Sequence, residues 1–236
     1  MIEPLGEGFG GAVYLVDCDG ERLALKQLRM RSDHEVLSSK EILDNFKQEF
    51  STLKKLNHPN ILRIVDFGFE SKENFYYFTT EYIEGKDIFD ATRGLTPEEI
   101  EELFVQSFRA LGYLHSQGVF HFDIKPTNIL VGLDENGDRT VKLIDFGLTA
   151  FQKKGILAGS PAFMAPEALL EEARDGRSDL YSLGVTWYTC LTGTNPFKAS
   201  DMQKTIDLQR VWHPPRVSTQ SAKIPPYLDP LLEKHL

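Results

Sequence analysis

The sequence predicts an α+β fold in which a small β-rich part with one helix precedes a larger, mainly helical part. Short apolar runs separated by turn residues fill residues 1–83, and such runs are typical of strands. After Gly85 the apolar residues recur at helical spacing instead. A chain of 236 residues with 41% hydrophobic and 11% aromatic content is able to bury a core of this size.

The first part is predicted to contain two strand pairs and one helix. Asp17 to Gly20 is a hairpin turn signal, and the helical spacing of apolar residues over 41–56 predicts a helix that ends before Pro59. We expect the strands to form a small mixed sheet. The predicted strands are residues 9–16, 21–28, 61–69 and 75–81.

The second part begins with the strongest helix signal of the chain. Thr96 offers an N-cap, Pro97 occupies the first helical position, and Glu99 completes a capping-box pattern. The apolar stripe then continues until Gly118. A second helix is predicted over residues 178–192, and because it is apolar nearly all round we expect it to be buried.

A hairpin is predicted between these two helices. Its strands are residues 128–133 and 140–144, joined across Asn136-Gly137. Asn128 therefore lies at one end of the hairpin and Asp145 at the other, which brings the two side chains together. The segment after the second helix contains two proline pairs and is expected to be rich in loops.

Composition limits the partners that we expect. The 26 Lys and Arg residues against 35 Asp and Glu give a net charge of −9, which disfavours nucleic acid as the main partner. No signal peptide pattern is present, and no apolar stretch reaches the roughly 18 residues of a membrane span. Cys18 and Cys190 are too few and too far apart for a disulfide framework or a cysteine metal site. We therefore expect a protein without a membrane span in the reducing cytoplasm.

Two acidic residues and an amide occur at the spacing of a phosphoryl-transfer site. Residues 121–128 read His-Phe-Asp-Ile-Lys-Pro-Thr-Asn, and Asp145-Phe146-Gly147 follows. Phosphorylation of a hydroxyl needs one carboxylate that can accept a proton, and a second carboxylate and an amide that can hold Mg²⁺. Taken singly, Asp123 or Asp145 would most often be a turn or cap residue, and His121 is better interpreted as a core histidine than as a catalyst.

A glycine-rich segment lies near the start of the chain. Gly6, Gly8, Gly11 and Val13 fit the pattern Gly-x-Gly-x-x-Gly-x-Val, in which backbone N–H groups can approach phosphate oxygens closely. A tight hairpin without a ligand is the alternative interpretation. A dinucleotide-binding fold would need a helix directly after the glycines, where a strand is predicted instead.

Together with one lysine and one glutamate, these motifs make the chain resemble the eukaryotic-type, or Hanks-type, serine/threonine protein kinase family. Lys26 is predicted on a strand and Glu49 on the helix that follows. The run at 176–185 resembles bacterial members of the family. The motifs that carry the resemblance occur in the family's order at Gly6/Gly8/Gly11, Lys26, Glu49, His121/Asp123/Asn128, Asp145/Phe146/Gly147 and Ala165/Pro166/Glu167.

The resemblance implies a two-lobed protein kinase-like fold over residues 1–236, with ATP between the lobes. The N-lobe would comprise residues 1–83, the hinge about 81–87 and the C-lobe 84–236. The chain starts five residues before the glycine segment and stops before the family's final helix. We therefore expect it to be truncated at both ends, with flanking domains of a longer protein.

The resemblance also implies the catalytic roles. Asp123 would orient the substrate hydroxyl and accept its proton, and Lys26, held by Glu49, would bind the α- and β-phosphates. Lys125 resembles the lysine of serine/threonine kinases that contacts the γ-phosphate, so the substrate hydroxyls would be Ser or Thr. The residues that would hold Mg²⁺, with Mn²⁺ as an alternative, are Asn128 and Asp145.

A larger set of residues is implied to bind ATP. Val13, Ala24 and Leu130 would sandwich the adenine, and the backbone at Glu81 and Ile83 would form hydrogen bonds with it. The complete set of nucleotide-binding positions implied by the resemblance is Leu5, Gly6, Gly8, Gly11, Val13, Ala24, Lys26, Thr80, Glu81, Ile83, Asp87, Leu130 and Asp145.

Two of these positions have more specific implications. Asp87 would contact the ribose. Thr80 would be the gatekeeper, the residue that limits access to the space behind the adenine. Because threonine is small, we expect bulky inhibitors that enter this space to bind better than they would to a Thr80→Met variant.

The chain departs from the family pattern near the catalytic aspartate. Phe122 stands where many members have an arginine that pairs with a phosphorylated loop residue. Thr149 and Ser160 are the only hydroxyl residues between Asp145 and Pro161, and Ser160 resembles a hydroxyl that bridges the catalytic aspartate and lysine. We therefore expect activity that does not depend on loop phosphorylation.

The resemblance also bears on two acidic residues of the second part, Asp179 and Glu167. Asp179 is either a helix cap or the family's buried aspartate that braces the catalytic segment. The arginine that usually pairs with Glu167 would lie beyond the end of the chain, so we expect Glu167 to lack its partner, at a cost in stability.

The function predicted from the resemblance is ATP- and Mg²⁺-dependent transfer of the γ-phosphate to Ser or Thr hydroxyls of protein substrates, with a role in signalling. One alternative is a pseudokinase that acts as a nucleotide-binding or interaction module. A second is a small-molecule kinase, which the resemblance of residues 159–167 to a peptide-docking segment disfavours.

Overall fold

The computed structural model describes residues 3–8, 11–27, 50–51, 53–72, 75–145, 161–170 and 172–235. The chain divides into two compact units. The first comprises residues 1–57 and 61–83, and the second comprises residues 58–60 and 84–236. The predicted α+β class is confirmed, since strands dominate the described part of the first unit and helices that of the second.

The described residues of the first unit form a five-stranded sheet with the order β1-β2-β3-β5-β4. Every neighbouring pair is antiparallel, so the predicted mixed sheet is wrong. The reason is that most neighbouring strands are joined by short hairpins, whereas a parallel pair needs a long crossover connection. The strands are β1 (Glu3–Gly8), β2 (Gly11–Cys18), β3 (Glu21–Gln27), β4 (Ile64–Glu70) and β5 (Phe75–Glu81).

The turn between β2 and β3 is the one that the sequence predicts. Asp19 and Gly20 have φ values of 54° and 88°, as the two central residues of a type I′ hairpin turn require. The N–H of Gly20 donates to Oδ1 of Asp17 at 3.1 Å. Local side-chain chemistry is therefore sufficient to place this turn.

The predicted helix over residues 41–56 lies mostly outside the described residues. Phe50, Ser51 and Leu53 are helical where the structure describes them. The Phe50 ring packs against that of Phe67 on β4, with 5.5 Å between the ring centroids. This contact places the end of the predicted helix on the sheet of the first unit.

The second unit contains a small three-stranded antiparallel sheet and, in its described part, a series of helices. The tail that was expected to be rich in loops contains three of these helices, which its prolines and short apolar runs do not reveal. The strands are β6 (Gly85–Asp87), β7 (Ile129–Leu133) and β8 (Arg139–Leu143). The helices are α1 (Ile88–Ala91), α2 (Pro97–Ser116), α3 (Pro166–Leu169), α4 (Gly176–Thr192), α5 (Met202–Val211), α6 (Val217–Gln220) and α7 (Asp229–Glu233).

Helix α2 has the predicted capping box at its start. The N–H of Glu99 donates to the hydroxyl of Thr96 at 3.3 Å, and the N–H of Thr96 donates to the Glu99 carboxylate at 2.8 Å. The backbone hydrogen bond from Thr96 is the main cause that lowers the pKa of Glu99. These bonds satisfy two N–H groups that a bare helix terminus would leave without partners.

Helix α4 is central, as its apolar sequence predicts. Leu183 and Val185 are fully buried, and Trp187 stacks on Phe104 of α2 with 5.4 Å between ring centroids. The helix begins at Gly176, two residues before its predicted start, because Asp175 is the N-cap. Within the described part of the chain, none of the helices combines the length and the apolar composition that a membrane crossing needs.

Candidate active site

The β7–β8 hairpin brings the two ends of the candidate catalytic segment together. Ile129 pairs with Leu143 across the hairpin, and the N–H of Ile144 donates to the carbonyl of Asn128 at 3.0 Å. A ring nitrogen of His121 lies 3.0 Å from the carbonyl oxygen of Ile144. Asp145 follows directly, so the backbone places it beside Asn128.

The segment that precedes Asp123 is anchored by one buried carboxylate. Asp179 is fully buried and accepts hydrogen bonds from the N–H groups of His121 at 2.9 Å and Phe122 at 2.7 Å. Its Oδ2 also lies 2.8 Å from Nε2 of His115. Asp179 therefore braces the catalytic segment, and the alternative interpretation of it as a helix cap is wrong.

The Asp123 carboxylate holds the polar groups of the site around one oxygen. Lys125 Nζ lies 2.7 Å and Asn128 Nδ2 lies 2.9 Å from Asp123 Oδ2. The same amide also donates to the Asp123 carbonyl at 2.8 Å. Among the described residues none donates to Oδ1 of Asp123, which leaves that oxygen able to accept a proton from a bound hydroxyl.

Two oxygen-bearing side chains next to each other fit a divalent cation. Asn128 uses its amide nitrogen on Asp123, so its carbonyl oxygen is oriented away from these bonds and can serve as a ligand. Asp145 is exposed. The described residues contain no cluster of three or more His, Cys, Asp or Glu side chains suited to a metal, but Mg²⁺ commonly takes only one or two carboxylates and completes its shell with water and phosphate oxygens.

In the first unit, four predicted nucleotide-binding residues share one face of the sheet. Cross-strand pairs join Val13 with Lys26, and Ala24 with Thr80; side chains opposite each other on neighbouring strands point to the same side. Lys26 is only 8% exposed, and its Nζ lies 5.9 Å from the ring centroid of Phe78. The sheet therefore presents the buried Lys26 cation on the same face as the apolar Val13 and Ala24 side chains.

The glycine segment forms the hairpin between β1 and β2, where Gly8 pairs with Gly11 and Gly6 pairs with Val13. Gly11 has a φ of 129°, which side chains rarely allow. Leu5 is 39% exposed beside it. A strand rather than a helix follows the glycines, which excludes the dinucleotide-binding arrangement.

Glu81, at the predicted hinge, is tied to Arg63, the residue before β4, by two hydrogen bonds. The N–H of Glu81 donates to the carbonyl of Arg63 at 3.0 Å, and the N–H of Arg63 donates to the Glu81 carboxylate at 2.8 Å. Ile83, the last residue of the first unit, is half-buried. This pair of bonds fixes the end of β5.

The remaining predicted nucleotide contacts lie in the second unit. Asp87 on β6 pairs with Leu130 on β7, and it also caps α1 by accepting the N–H of Asp90 at 3.0 Å. Leu130 and its cross-strand partner Asp87 thus lie near the Asn128 end of the hairpin. Glu49, Phe146, Gly147, Thr149 and Ser160 lie outside the described residues.

Glu167 has a hydrogen-bond partner, although it is not the arginine that the family resemblance implies. The hydroxyl of Ser178 donates to the Glu167 carboxylate at 2.5 Å, and Glu167 is half-buried. Proximity to this carboxylate, after burial, is a second cause that raises the pKa of Tyr181. A serine on the following helix therefore supplies a donor to a carboxylate for which the family resemblance implies an arginine partner.

Two side chains next to the catalytic segment were not predicted. His115 contacts Asp179, and the guanidinium of Arg174 lies 4.7 Å from the ring centroid of Phe122. Both contacts join residues more than 50 positions apart. No local sequence signal could have revealed them.

Comparisons with known proteins agree on one family. The family described as "Protein kinase domain" matches residues 1–234. CBL-interacting protein kinase 21 of Oryza sativa subsp. japonica is 38% identical over 98% of this chain and 43% of its own length. Serine/threonine-protein kinase ULK3 of Homo sapiens is 32% identical over 99% of this chain and 50% of its own length.

A bacterial protein is similar at a comparable level. Serine/threonine-protein kinase pkn2 of Myxococcus xanthus is 32% identical over 84% of this chain and 24% of its own length. The chain therefore spans half or less of the length of these three relatives.

Proposed function

The chain belongs to the protein kinase domain family, and we propose that it transfers the γ-phosphate of ATP to serine or threonine hydroxyls of protein substrates. The observation that carries this proposal is the Asp123 carboxylate. One of its oxygens is held by Lys125 and Asn128, and the other is left to a substrate. This arrangement suits a group that orients a hydroxyl and accepts its proton.

The proposed reaction exchanges one phosphorus–oxygen bond for another. The bond between the γ-phosphorus and the β–γ bridging oxygen breaks, and that oxygen leaves with ADP. A bond forms between the γ-phosphorus and the substrate oxygen, whose proton passes to Oδ1 of Asp123. Lys125, 2.7 Å from the other carboxylate oxygen, places a positive charge where the transferred phosphoryl group carries negative charge.

The protein kinase family uses ATP and a divalent metal, which neutralises phosphate charge when it is bound. We propose Mg²⁺ as the metal, with Mn²⁺ as a substitute, because carboxylate and amide oxygens are hard ligands. Asn128 and Asp145 would hold it. The hydrogen bonds of Ile144 to both Asn128 and His121 keep these two ligands adjacent.

The first unit would contribute the nucleotide contacts. Lys26 is a candidate for the α- and β-phosphates because it is a buried cation on the face that also carries Val13 and Ala24. The backbone of Glu81, fixed by its bonds to Arg63, is the candidate for adenine recognition. Glu49 keeps its predicted role as the partner of Lys26.

The relatives are about twice as long as this chain or longer. We propose that flanking domains select the protein substrate. The cytoplasmic location predicted from the sequence stays a prediction.

Transfer of labelled γ-phosphate from Mg-ATP tests the proposed function. The acceptors are a generic basic protein and the chain itself, and the inactive variant is Asp145→Asn, because asparagine tolerates the positive φ of 59° at this position. The matched control is Asp138→Asn, an exposed carboxylate in the loop of the same hairpin. Transfer by the wild type and the control but not by Asp145→Asn is expected. Equal transfer by all three, or none by a folded wild type, would refute the proposal.

A further inference from the structure

We propose that Arg174 is a specificity-determining residue that binds a carboxylate of the protein substrate next to the acceptor hydroxyl. This inference rests on the proposed kinase function and adds a substrate preference to it. Arg174 lies between α3 and α4, and no sequence motif marks it.

The platform beneath Arg174 is the ring of Phe122. The backbone of Phe122 is fixed because its N–H donates to the buried Asp179 carboxylate at 2.7 Å. Its ring also stacks on Phe120, with 5.4 Å between centroids and 25° between planes. The ring therefore has a defined position directly beside Asp123.

The Arg174 guanidinium lies over this ring, with 4.7 Å between its central carbon and the ring centroid. Such a contact holds the planar group through its flat face. The N–H donors lie along the edges of the guanidinium. None of them forms a hydrogen bond or ion pair with a described residue, so the edges are available to an anion.

Three carboxylates near Arg174 in the sequence or next to the catalytic segment already have other partners. The Asp175 carboxylate accepts hydrogen bonds from Nε of Arg177 at 3.1 Å and from Nη2 at 2.9 Å, and the bonds from this side chain are the main cause that lowers the pKa of Asp175. Glu167 accepts from Ser178, and Asp179 is buried with three donors. Arg174 therefore keeps a positive charge that no described side chain of its own chain neutralises.

The position of this charge favours a substrate side chain as its partner. Phe122 and Asp123 are consecutive, so their Cα atoms are about 3.8 Å apart. An extended peptide advances about 3.3 Å per residue. A carboxylate within a few residues of the acceptor hydroxyl could therefore reach Arg174 while that hydroxyl contacts Asp123, and the guanidinium fork matches a carboxylate with two parallel hydrogen bonds.

The test compares peptide substrates that differ in one residue. One series of peptides carries aspartate at each position next to the acceptor serine in turn. The neutral reference keeps this serine and has alanine in place of the aspartate. The variants are Arg174→Ala, Arg174→Lys and the matched control Arg177→Ala, which removes the same charge from a residue already paired with Asp175.

We expect the wild type to prefer at least one acidic peptide. Arg174→Ala should raise the KM of that peptide about fivefold with kcat unchanged, the upper range for an exposed charge pair. Its KM for the neutral peptide should stay constant. Arg174→Lys should recover only part of the preference because it lacks the planar fork, and Arg177→Ala should behave as wild type.

Three outcomes of the peptide comparison would overturn the inference: no acidic preference in the wild type, an equal effect of Arg174→Ala on both peptides, or an effect of Arg177→Ala equal to that of Arg174→Ala. A loss of rate on phosphatase treatment that matches the Arg174→Ala defect would also overturn it, because Arg174 would then bind a phosphate on this chain. If no peptide is phosphorylated, the kinase function fails instead. Fluorescence polarisation of the acidic peptide on wild type and Arg174→Ala then still tests the contact.

Discussion

Phe122 and Asp145, two residues of the candidate active site, have backbone conformations that non-glycine residues rarely adopt. Their φ values are 57° and 59°. Such conformations persist only where surrounding bonds hold them. At Phe122 the bond is to the buried Asp179 carboxylate, and next to Asp145 the bonds are those of Ile144 to Asn128 and His121.

We predict that Asp179→Asn loosens the catalytic segment. The amide replaces one charged acceptor by a donor, so at least one N–H of His121 or Phe122 loses its partner. Each such bond to a charged group contributes about 1.5–3 kcal/mol. Urea unfolding should show a loss of this size, and amide hydrogen exchange should quicken at these two N–H groups.

The same exchange experiment contains its own control. The N–H of Val141 donates to the side chain of Gln106 at 2.8 Å, away from Asp179. The free energy of opening that exchange reports at this N–H should fall by no more than the free energy of global unfolding does. Unaltered protection of His121 and Phe122 in the variant would show that Asp179 does not brace the segment.

Thr80→Met should weaken inhibitors that need space beside the gatekeeper. Thr80 is 4% exposed and its hydroxyl donates to the Glu81 carbonyl at 3.1 Å. A methionine here fills volume that a bulky inhibitor would use, and overpacking of this kind changes affinity by about tenfold. Calorimetric titration with a bulky and a compact inhibitor checks this, since only the bulky one should lose affinity. Equal affinity of the bulky one for both proteins would refute the gatekeeper role.

The start of helix α2 is determined by residues within the helix and its cap. Its capping box, its proline at the first position and its apolar stripe all come from one continuous segment. Each of these features is decided within a turn or two of helix. The start of the helix therefore follows from local chemistry.

We predict that Thr96→Ala destabilises the protein by about 1 kcal/mol, because the N-cap acceptor is lost. Urea unfolding followed by circular dichroism measures this. Thr96→Ser keeps the hydroxyl and is the matched control. If the two variants unfold at the same urea concentration, the capping bond contributes nothing.

Glu99 should add a pH dependence to the same element. Its pKa is lowered in the folded state, first by the backbone N–H of Thr96. Its stabilisation is therefore fully present above the unfolded pKa and is lost as the pH falls through the folded pKa. The difference in urea midpoint between wild type and Glu99→Gln should shrink on acidification. A difference that grows in acid would contradict this assignment.

At the scale of the whole molecule, the short segment 58–60 belongs to the second unit although both of its neighbours along the chain belong to the first. Asn60 holds it there. The side-chain amide of Asn60 donates to the backbone carbonyl of Val141 at 3.0 Å and to the side-chain oxygen of Gln106 at 2.9 Å. The backbone carbonyl of Asn60 accepts a hydrogen bond from the N–H of Leu143 at 2.9 Å.

Asn60→Ala should lower the free energy of unfolding by about 1–3 kcal/mol, because the Val141 carbonyl and the Gln106 amide oxygen each lose a donor. Calorimetry or urea unfolding measures the change. Asn136→Ala, in the exposed loop of the β7–β8 hairpin, is the control. A loss no larger than that of the control would mean that the segment is held by packing alone.

We expect the transfer rate of the whole molecule not to depend on phosphorylation of the loop between Asp145 and Pro161. Phe122 offers a ring where an arginine would bind a phosphate, so we expect the same rate on a neutral peptide before and after phosphatase treatment. Mass spectrometry confirms removal of phosphate. A large rise in rate when Thr149 or Ser160 carries phosphate would contradict this expectation.

The family, the fold class, the capping box of α2 and the hairpin between Asn128 and Asp145 could all be predicted from the sequence alone. These follow from motif order and from residue patterns within a few positions of each other, where local sterics and hydrogen bonding decide the structure. Three features became clear only from the folded structure: the bond from Ser178 to Glu167, the role of Asp179 as a brace of the catalytic segment rather than a helix cap, and the contact of Arg174 with the Phe122 ring. These contacts depend on how separate helices and loops pack against each other, and local patterns carry no record of that packing.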